Sequence, residues 1–570
     1  MPQTPPTPAA PAPARAPILG LLALSAVLGL PGAAQAQSLP SAGSLLEETR
    51  RPPAPTLPPA TPPRVVDAPA RPVLELPEGA AVEVRAFRLS GHRSFDDATL
   101  QPLLAPFTGR RLDLRGLNEA AAALTRHYQR NGHLLSYAYL PAQRVDGGVV
   151  ELAVLEGRIE AVQVVTAQEV RLADRVVQAH TDALVSKGEA PEPVLQARVE
   201  RQLLLLNDLP GVTARAAFTP GATTGGADLV VSVAEDEPLV TRLEYSNHGS
   251  SATGPHRAGL TLQFRDLFGV GDSTVARGVV SNRGGLVTGS LATQVPVGGD
   301  GWRLGASVSR LKYQLGGSFS ALGAVGRADT AGLDASYPLR RSIDHNVWLR
   351  AGIDFKRLAD ELLTLGQVTR KHNQVGELGL TLDGRDRLWG LGGLSTLTAT
   401  ASMGQLRVPG QPVAEWRKAQ LQAAREQALA GNTRLYLRLL AQTTGGRLDS
   451  SEKLGLGGAG GVRAYGPGEL SVDVGRLVTL ELRQAVDLLG GSVVASLFHD
   501  RASGSIDRGS SLPGNDATLS ATGLGLQWNG SLAGSGLALT ASLAWRGGRV
   551  PTSDESDPRP RLYLQLQITP

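Results

Sequence analysis

One arginine and one tyrosine stand in a stretch otherwise bare of functional groups: Lys453-Leu-Gly-Leu-Gly-Gly-Ala-Gly-Gly-Val-Arg463-Ala-Tyr465-Gly-Pro-Gly468. A guanidinium is a fixed fork of donors suited to a carboxylate, so its chemistry is directional ion pairing and not catalysis. Phe498 and Asp500 are two apart and share one face of a strand, and Leu497 and His499 share the other. The glycines permit positive φ and close backbone approach, which predicts a long loop folded tightly against a surface. Such a loop needs an anchor at its tip, and Arg463 is the side chain that stands out to supply one.

Gly455 to Gly460 also fits G-x-G-x-x-G. A dinucleotide site needs that motif to open a helix, and Tyr465-Gly-Pro-Gly468 cannot start one. The chain has no G-x-x-x-x-G-K-[ST], no H-E-x-x-H and no G-x-S-x-G. His127 and His133, on a helix and its cap, lack metal-ligand spacing. No catalytic residue, metal or cofactor is expected, and the default is a protein that is not an enzyme.

Composition agrees. Of 570 residues 68 are Gly, aromatics are 4%, and Cys is absent. Formal net charge is +4, with the charges interspersed, so no nucleic-acid footprint appears. Ile18–Leu30 is an apolar run after Arg15, too short to span a bilayer, and Ala34-Gln-Ala36 supplies a small-x-small cleavage pattern. Residues 1–36 therefore read as an export signal. No later segment is apolar and long enough for a membrane helix.

Residues 37–50 contain a short amphipathic helix, Ser41–Arg50, and residues 51–80 a Pro-rich, semi-rigid linker. Residues 81–158 read β-α-α-β-β. Val82, Val84 and Phe87 open a strand, and Leu117, Ala120, Ala121, Leu124 and Tyr128 mark a helix face. Asn131-Gly132 caps that helix, and Leu134–Leu140 and Val149–Leu155 are strands. Residues 159–238 repeat the order, with Leu195, Val199, Leu203 and Leu206 on a helix broken at Asn207-Asp208-Leu-Pro210-Gly211. From 239 to 570 apolar residues alternate, as in Leu435, Leu437, Leu439 and Leu562, Leu564, Leu566. Alternation alone suits a soluble sandwich as well; the export signal, segments of about ten residues and the number of strands favour a transmembrane β-barrel of about sixteen antiparallel strands, at roughly 20 residues per strand and connection. Glu415–Gly431 has helix propensity but is needed as a strand to close the count. The inward loop is expected at 449–475.

These parts resemble the two-partner secretion transporters of the POTRA-barrel superfamily. Three stretches carry the resemblance. Glu200 to Gly211 is similar to the family's second POTRA helix and its break. Gly457, Gly458, Val462, Arg463 and Tyr465 match its long-loop motif, with Ala464 where Gly is usual. Phe498 and Asp500 match its Phe-x-Asp motif, and the resemblance implies that Arg463 forks onto Asp500. The resemblance implies two periplasmic POTRA domains before an outer-membrane barrel in a Gram-negative bacterium. It implies a transporter that translocates, and can activate, a large unfolded haemolysin- or adhesin-like partner. Asn207, Asp208, Pro210 and Gly211 would then bind that client in the second POTRA unit, and residues 37–50 would plug the pore. Lipid, lipopolysaccharide and the outer-membrane insertion machinery are the further partners implied. The alternative is a POTRA-barrel factor that inserts other barrels. The chain ends Gln567-Ile568-Thr569-Pro570 and not in the aromatic residue usual for such barrels, which leaves Tyr563 and Ile568 as candidate insertion signals.

Overall fold

The structure is a computed structural model describing residues 39–50, 65–66, 81–166, 170–185, 193–488, 490–548, 550 and 558–570. The export signal and most of the Pro-rich linker lie outside the described residues. Alternating sequence produces a closed barrel because each strand then has one face for lipid and one for the interior. Its sixteen antiparallel strands pair in chain order.

They are β1 Leu239–Ser246, β2 Arg257–Arg265, β3 Ser273–Ser281, β4 Leu286–Val297, β5 Trp302–Gln314 and β6 Ala324–Arg340. Next come β7 His345–Leu362, β8 Gln367–Asp386, β9 Gly393–Arg407, β10 Ala414–Ala428 and β11 Thr433–Thr444. The last are β12 Val474–Leu488, β13 Gly491–Ser505, β14 Asp516–Leu532, β15 Ser535–Arg546 and β16 Arg561–Thr569. β16 pairs with β1 from Leu243–Ile568 to Ser246–Gln565 and closes the ring. The stretch with helix propensity is strand β10, since its pairing with β9 and β11 outweighs a local preference. The long connection runs from 445 to 473, starting before and ending before the expected bounds.

Two α+β units precede β1. In the first, helix α2 (Leu114–Arg130) is capped by Asp113, whose side chain accepts from the Gly116 N–H at 2.8 Å. Its face Leu117, Ala120, Ala121, Leu124 and Tyr128 is buried against Val150, Leu152 and Val154. The opening strand differs from expectation. Ala81–Val84 pairs with Arg110–Asp113, and Ala86–Ser90 pairs with Val149–Leu155, so the chain changes sheet at Arg85. Only Tyr137–Tyr139 of the expected Leu134–Leu140 strand is extended.

In the second unit, helix α3 (Gln196–Asn207) packs Val199, Leu203 and Leu206 on a sheet. The sheet order is Val65–Val66, Val212–Pro220, Gly226–Glu235, Arg158–Thr166. Val65 and Val66 come from the linker and pair in parallel with Ala216 and Ala217. A piece of linker thus adds a strand to an otherwise free edge.

Helix α1 (Ala42–Arg50) sits away from both units, among inward-facing barrel residues. Ala42, Leu45 and Leu46 are buried with Leu286, Leu311, Tyr313, Ala328 and Leu358. Its first turn donates from the Ala42 N–H to Asp360 at 2.6 Å, a carboxylate where the helix dipole is positive. Glu48 pairs with Arg257 at 2.6 Å and Arg50 with Asp354 at 3.1 Å.

Candidate functional site: the loop and helix inside the barrel

The loop folds inward because its apolar side chains find a wall of their own. Leu456, Val462, Ala464, Tyr465 and Leu470 are buried on Leu477, Phe498, Ala502, Leu519 and Ala521. The glycines let the backbone close on itself. Gly458 has φ 94°, and a Cβ on Gly457 would lie 2.4 Å from the Gly466 carbonyl oxygen. The Gly458 N–H donates to the Tyr465 carbonyl at 3.1 Å, and the Val462 N–H to that of Leu456 at 2.8 Å. No helix follows Gly460, so the structure excludes the dinucleotide reading. Ala464 is not in the left-handed region, so its departure from Gly costs no backbone strain.

Arg463 meets Asp500 as a fork: Nε to Oδ2 and Nη2 to Oδ1, each 2.8 Å. Its own N–H adds a third bond at 3.2 Å. Nη1 reaches Glu481 at 2.8 Å, and the guanidinium lies 3.3 Å from the Phe498 ring centre. The Asp500 side chain is 0% exposed and that of Arg463 is 14%. The two motifs therefore form one cluster, with Glu481 and Thr479 added by β12. Tyr465 is wholly buried and its carbonyl accepts from the Tyr563 hydroxyl at 2.7 Å. Tyr563 therefore faces inward and holds the loop.

A second anchor lies at the root of the loop. Glu452, 1% exposed, pairs with Lys356 at 2.6 Å and Lys418 at 2.8 Å and accepts from Asn373 at 2.8 Å. Trp416 fixes Asn373 by donating to it at 3.1 Å. Asp449 pairs with Lys371 at 2.6 Å, and Lys453 with Asp507 at 2.7 Å. Burial alone would raise the Glu452 and Asp449 carboxyls; the neighbouring ammonium groups outweigh it and hold both below their ordinary values. Sequence reasoning missed this anchor. A signal was present: the chain has six lysines, Lys187, Lys312, Lys356, Lys371, Lys418 and Lys453, and four of them gather here.

The root also seats helix α1. Ser41 donates to Ser450 Oγ at 2.9 Å. A Cβ on Gly43 would lie 2.5 Å from Ser450 Oγ and 2.7 Å from the Ser451 nitrogen, so only Gly allows this approach. Helix and loop thus touch each other as well as the wall.

The residues expected to bind a client form the turn after α3. Asp208 accepts a fork from Arg341 at 2.8 and 2.7 Å, and its carbonyl accepts from Arg303 at 3.0 Å. Arg341 and Arg303 belong to the barrel's periplasmic end. Asn207 closes the turn after α3 through the Ala214 N–H and carbonyl at 3.0 and 2.9 Å. Pro210 and Gly211, the latter with φ 78°, complete that turn, and Gly211 packs on Arg265. The four residues end a helix and dock the second unit on the barrel, because the local break exposes a carboxylate to two barrel arginines.

Comparison with known proteins follows the same lines. The family model for the POTRA domain, ShlB-type, matches residues 82–157. The model for haemolysin secretion/activation protein ShlB/FhaC/HecB matches residues 225–529, more than half the chain. The chain is 25% identical over 448 residues to the heme/hemopexin transporter protein HuxB of Haemophilus influenzae (strain 86-028NP), covering 75% of this chain and 78% of that one. It is 23% identical over 415 residues to the outer membrane transporter CdiB of Escherichia coli, covering 68% and 66%. The solved structure of CdiB from Escherichia coli shares the fold, with a TM-score of 0.69 at 21% identity over 86% of this chain and 91% of that one. The family separates secretion from the barrel-assembly alternative, and it is a class of transporters rather than of enzymes. The chain belongs to the haemolysin secretion/activation family ShlB/FhaC/HecB and is an outer-membrane transporter of two-partner secretion.

Proposed function

We propose that this barrel passes a large exported polypeptide in unfolded form, and that helix α1 and the 445–473 loop close it between clients. The observation that carries the reading is their mutual contact inside the lumen, Ser41 and Gly43 on Ser450 and Ser451. The proposed site residues Gly457, Gly458, Val462, Arg463, Tyr465, Phe498 and Asp500 position the loop and perform no reaction. Deleting residues 38–50 is expected to raise ion conductance in planar bilayers severalfold. Unchanged conductance would remove the plug from the mechanism.

Residues 159–238 are read as a second POTRA domain that receives the client by β-augmentation. Support comes from the pairing of Val65–Val66 with Ala216–Ala217, since an edge that takes the chain's own linker accepts an extended segment through main-chain bonds. The client would replace that linker. Changing Val65 and Val66 to Pro removes the linker's main-chain donor to this edge, so the client's N-terminal region is expected to bind more tightly and with little salt dependence. Equal affinity for the two forms would exclude this edge. The other partners in this reading are lipid on the apolar wall, lipopolysaccharide in the outer leaflet, and the insertion machinery during biogenesis.

A further inference from the structure

Strand registers show an uneven distribution of charge on the outer wall. β1 leaves the periplasmic units, so β5 runs outward through the membrane and β6 returns. On β5 the outward positions are Trp302, Leu304, Ala306 and Val308, followed by Arg310 and Lys312. The neighbouring strands change at the same height. Leu333 and Ala331 give way to Asp329 and Arg327 on β6, Ile353 and Phe355 to Arg357 on β7, and Ala401 and Met403 to Arg407 on β9.

The registers place Arg310, Asp329, Arg357, His372 and Arg407 in one cross-strand row over five strands. Lys312, Arg327, Ala359 and Arg370 form the row above. Directly opposed side chains on a sheet are about 5 Å apart, and like charges there repel. Six cations, Arg310, Lys312, Arg327, Arg357, Arg370 and Arg407, thus outnumber the carboxylates of these rows and their flanks, Asp329, Glu361 and Glu415. Asp329 is shared between Arg310 and Arg327 and offsets little of that charge. All six cations are exposed.

The same place holds a recess of about 430 Å³, lined on the outward face by Asp329, Ala331, Phe355, Arg357, His372 and Gln374. Lys356 and Asn373, which alternate with them, are engaged inside with Glu452. The recess lies on the line where the apolar band ends, with Phe355 and Ala331 below and Arg357 above. By contrast, the outward strand positions of β15, β16 and β1–β4 carry no charged residue.

We propose that this arc, β5–β9, binds the phosphate groups of an anionic glycolipid of the outer leaflet. Its acyl chains would lie along Phe355, Ile353 and Leu333, and its phosphates in the recess and against the two basic rows. A multivalent phosphate relieves the repulsion, and guanidinium groups bind it by paired hydrogen bonds. The inference deepens the reading of the outer wall as facing lipid and lipopolysaccharide, and rests on it.

The test is native mass spectrometry of the full chain in detergent. The probes are bis-phosphorylated hexa-acyl lipid A, the same lipid with both phosphates removed, phosphatidylglycerol, and inorganic phosphate. Intact lipid A is expected to be retained, and each of the other three more weakly. Replacing Arg310, Arg357 and Arg407 together by Gln is expected to weaken lipid A binding by about tenfold or more, as for loss of several lipid-facing cations. If that variant gives no heat-modifiable barrel, Arg357→Gln is read the same way. Binding unchanged by substitution would overturn the proposal. So would retention of phosphatidylglycerol or inorganic phosphate as strong as that of lipid A. Such a failure would leave the lipid-facing wall standing, since insertion into phosphatidylethanolamine vesicles tests that wall separately.

Discussion

Arg463→Ala is expected to give a folded, heat-modifiable barrel that secretes almost nothing. Removing the guanidinium leaves Asp500, which is fully buried, with only the Thr479 hydroxyl and one backbone N–H. Losing one partner of a buried pair costs about 3–5 kcal/mol, against at most about 1 kcal/mol for an exposed one. That cost falls on the loop, because the strands close the barrel through their own hydrogen bonds. Glu481 is less affected, since Arg483 still pairs with it at 2.7 Å. Asp500→Ala should act in the same direction and less severely, because Arg463 keeps Glu481 and the Phe498 ring. Once the fork is lost its second half has nothing left to hold, so the double variant should be no worse than Arg463→Ala. Secretion assays with gel heat-modifiability as the folding control decide this. Normal secretion by Arg463→Ala, or simple addition of the two effects, would sink the anchoring role.

Glu452→Gln is expected to be as damaging as Arg463→Ala and to make the pore leak as well. It leaves the Lys356 and Lys418 ammonium groups, 4% and 5% exposed, facing a neutral amide. Two like charges then share a dry site, a loss again of about 3–5 kcal/mol. Ser450 and Ser451 would shift with the root and unseat α1, so conductance in planar bilayers should rise. Changing Lys356 and Lys418 to Gln in the same background removes the excess charge and should restore a closed pore. A leak that persists in that triple variant would show that packing, not charge, holds the root. The pH dependence follows from the sign. Both root carboxyls are depressed, so their contribution is complete above the ordinary values of 4.5 and 3.8 and lost as pH falls below them. Lowering pH from about 7 to 5 should therefore leave the root closed.

The two halves of the loop's tip were legible as local motifs, and their pairing was legible through the resemblance to a family that carries both. Arg463 stands alone among glycines, and Asp500 alternates with apolar residues on a single strand. The root was not legible in that way. Its charges come from β7, β8, β10 and the loop, and each lysine looks ordinary on its own strand. Only their scarcity along the chain marks them. The strand count was readable even through 415–431, since closing a ring constrains every member. The docking of Asp208 was not legible because a helix break looks alike whether it faces solvent or another domain; its partner Arg341 is 133 residues away. The sheet change at Arg85 was missed for a similar reason, as Arg110–Asp113 carries no apolar alternation to betray a strand.

The contact between Ser41 and Ser450 joins positions 409 apart in the chain. Synthesis and export deliver the amino-terminal side first. Helix α1 therefore leaves the export channel early, when the surface that will hold it has not yet been made. Only after β7 to β12 have paired and the intervening loop has turned inward does its seat exist. If α1 closes the pore as proposed, tightness of the membrane against leakage is a late product of biogenesis, acquired after the wall and not with it. The first described segment to emerge is the last to come to rest.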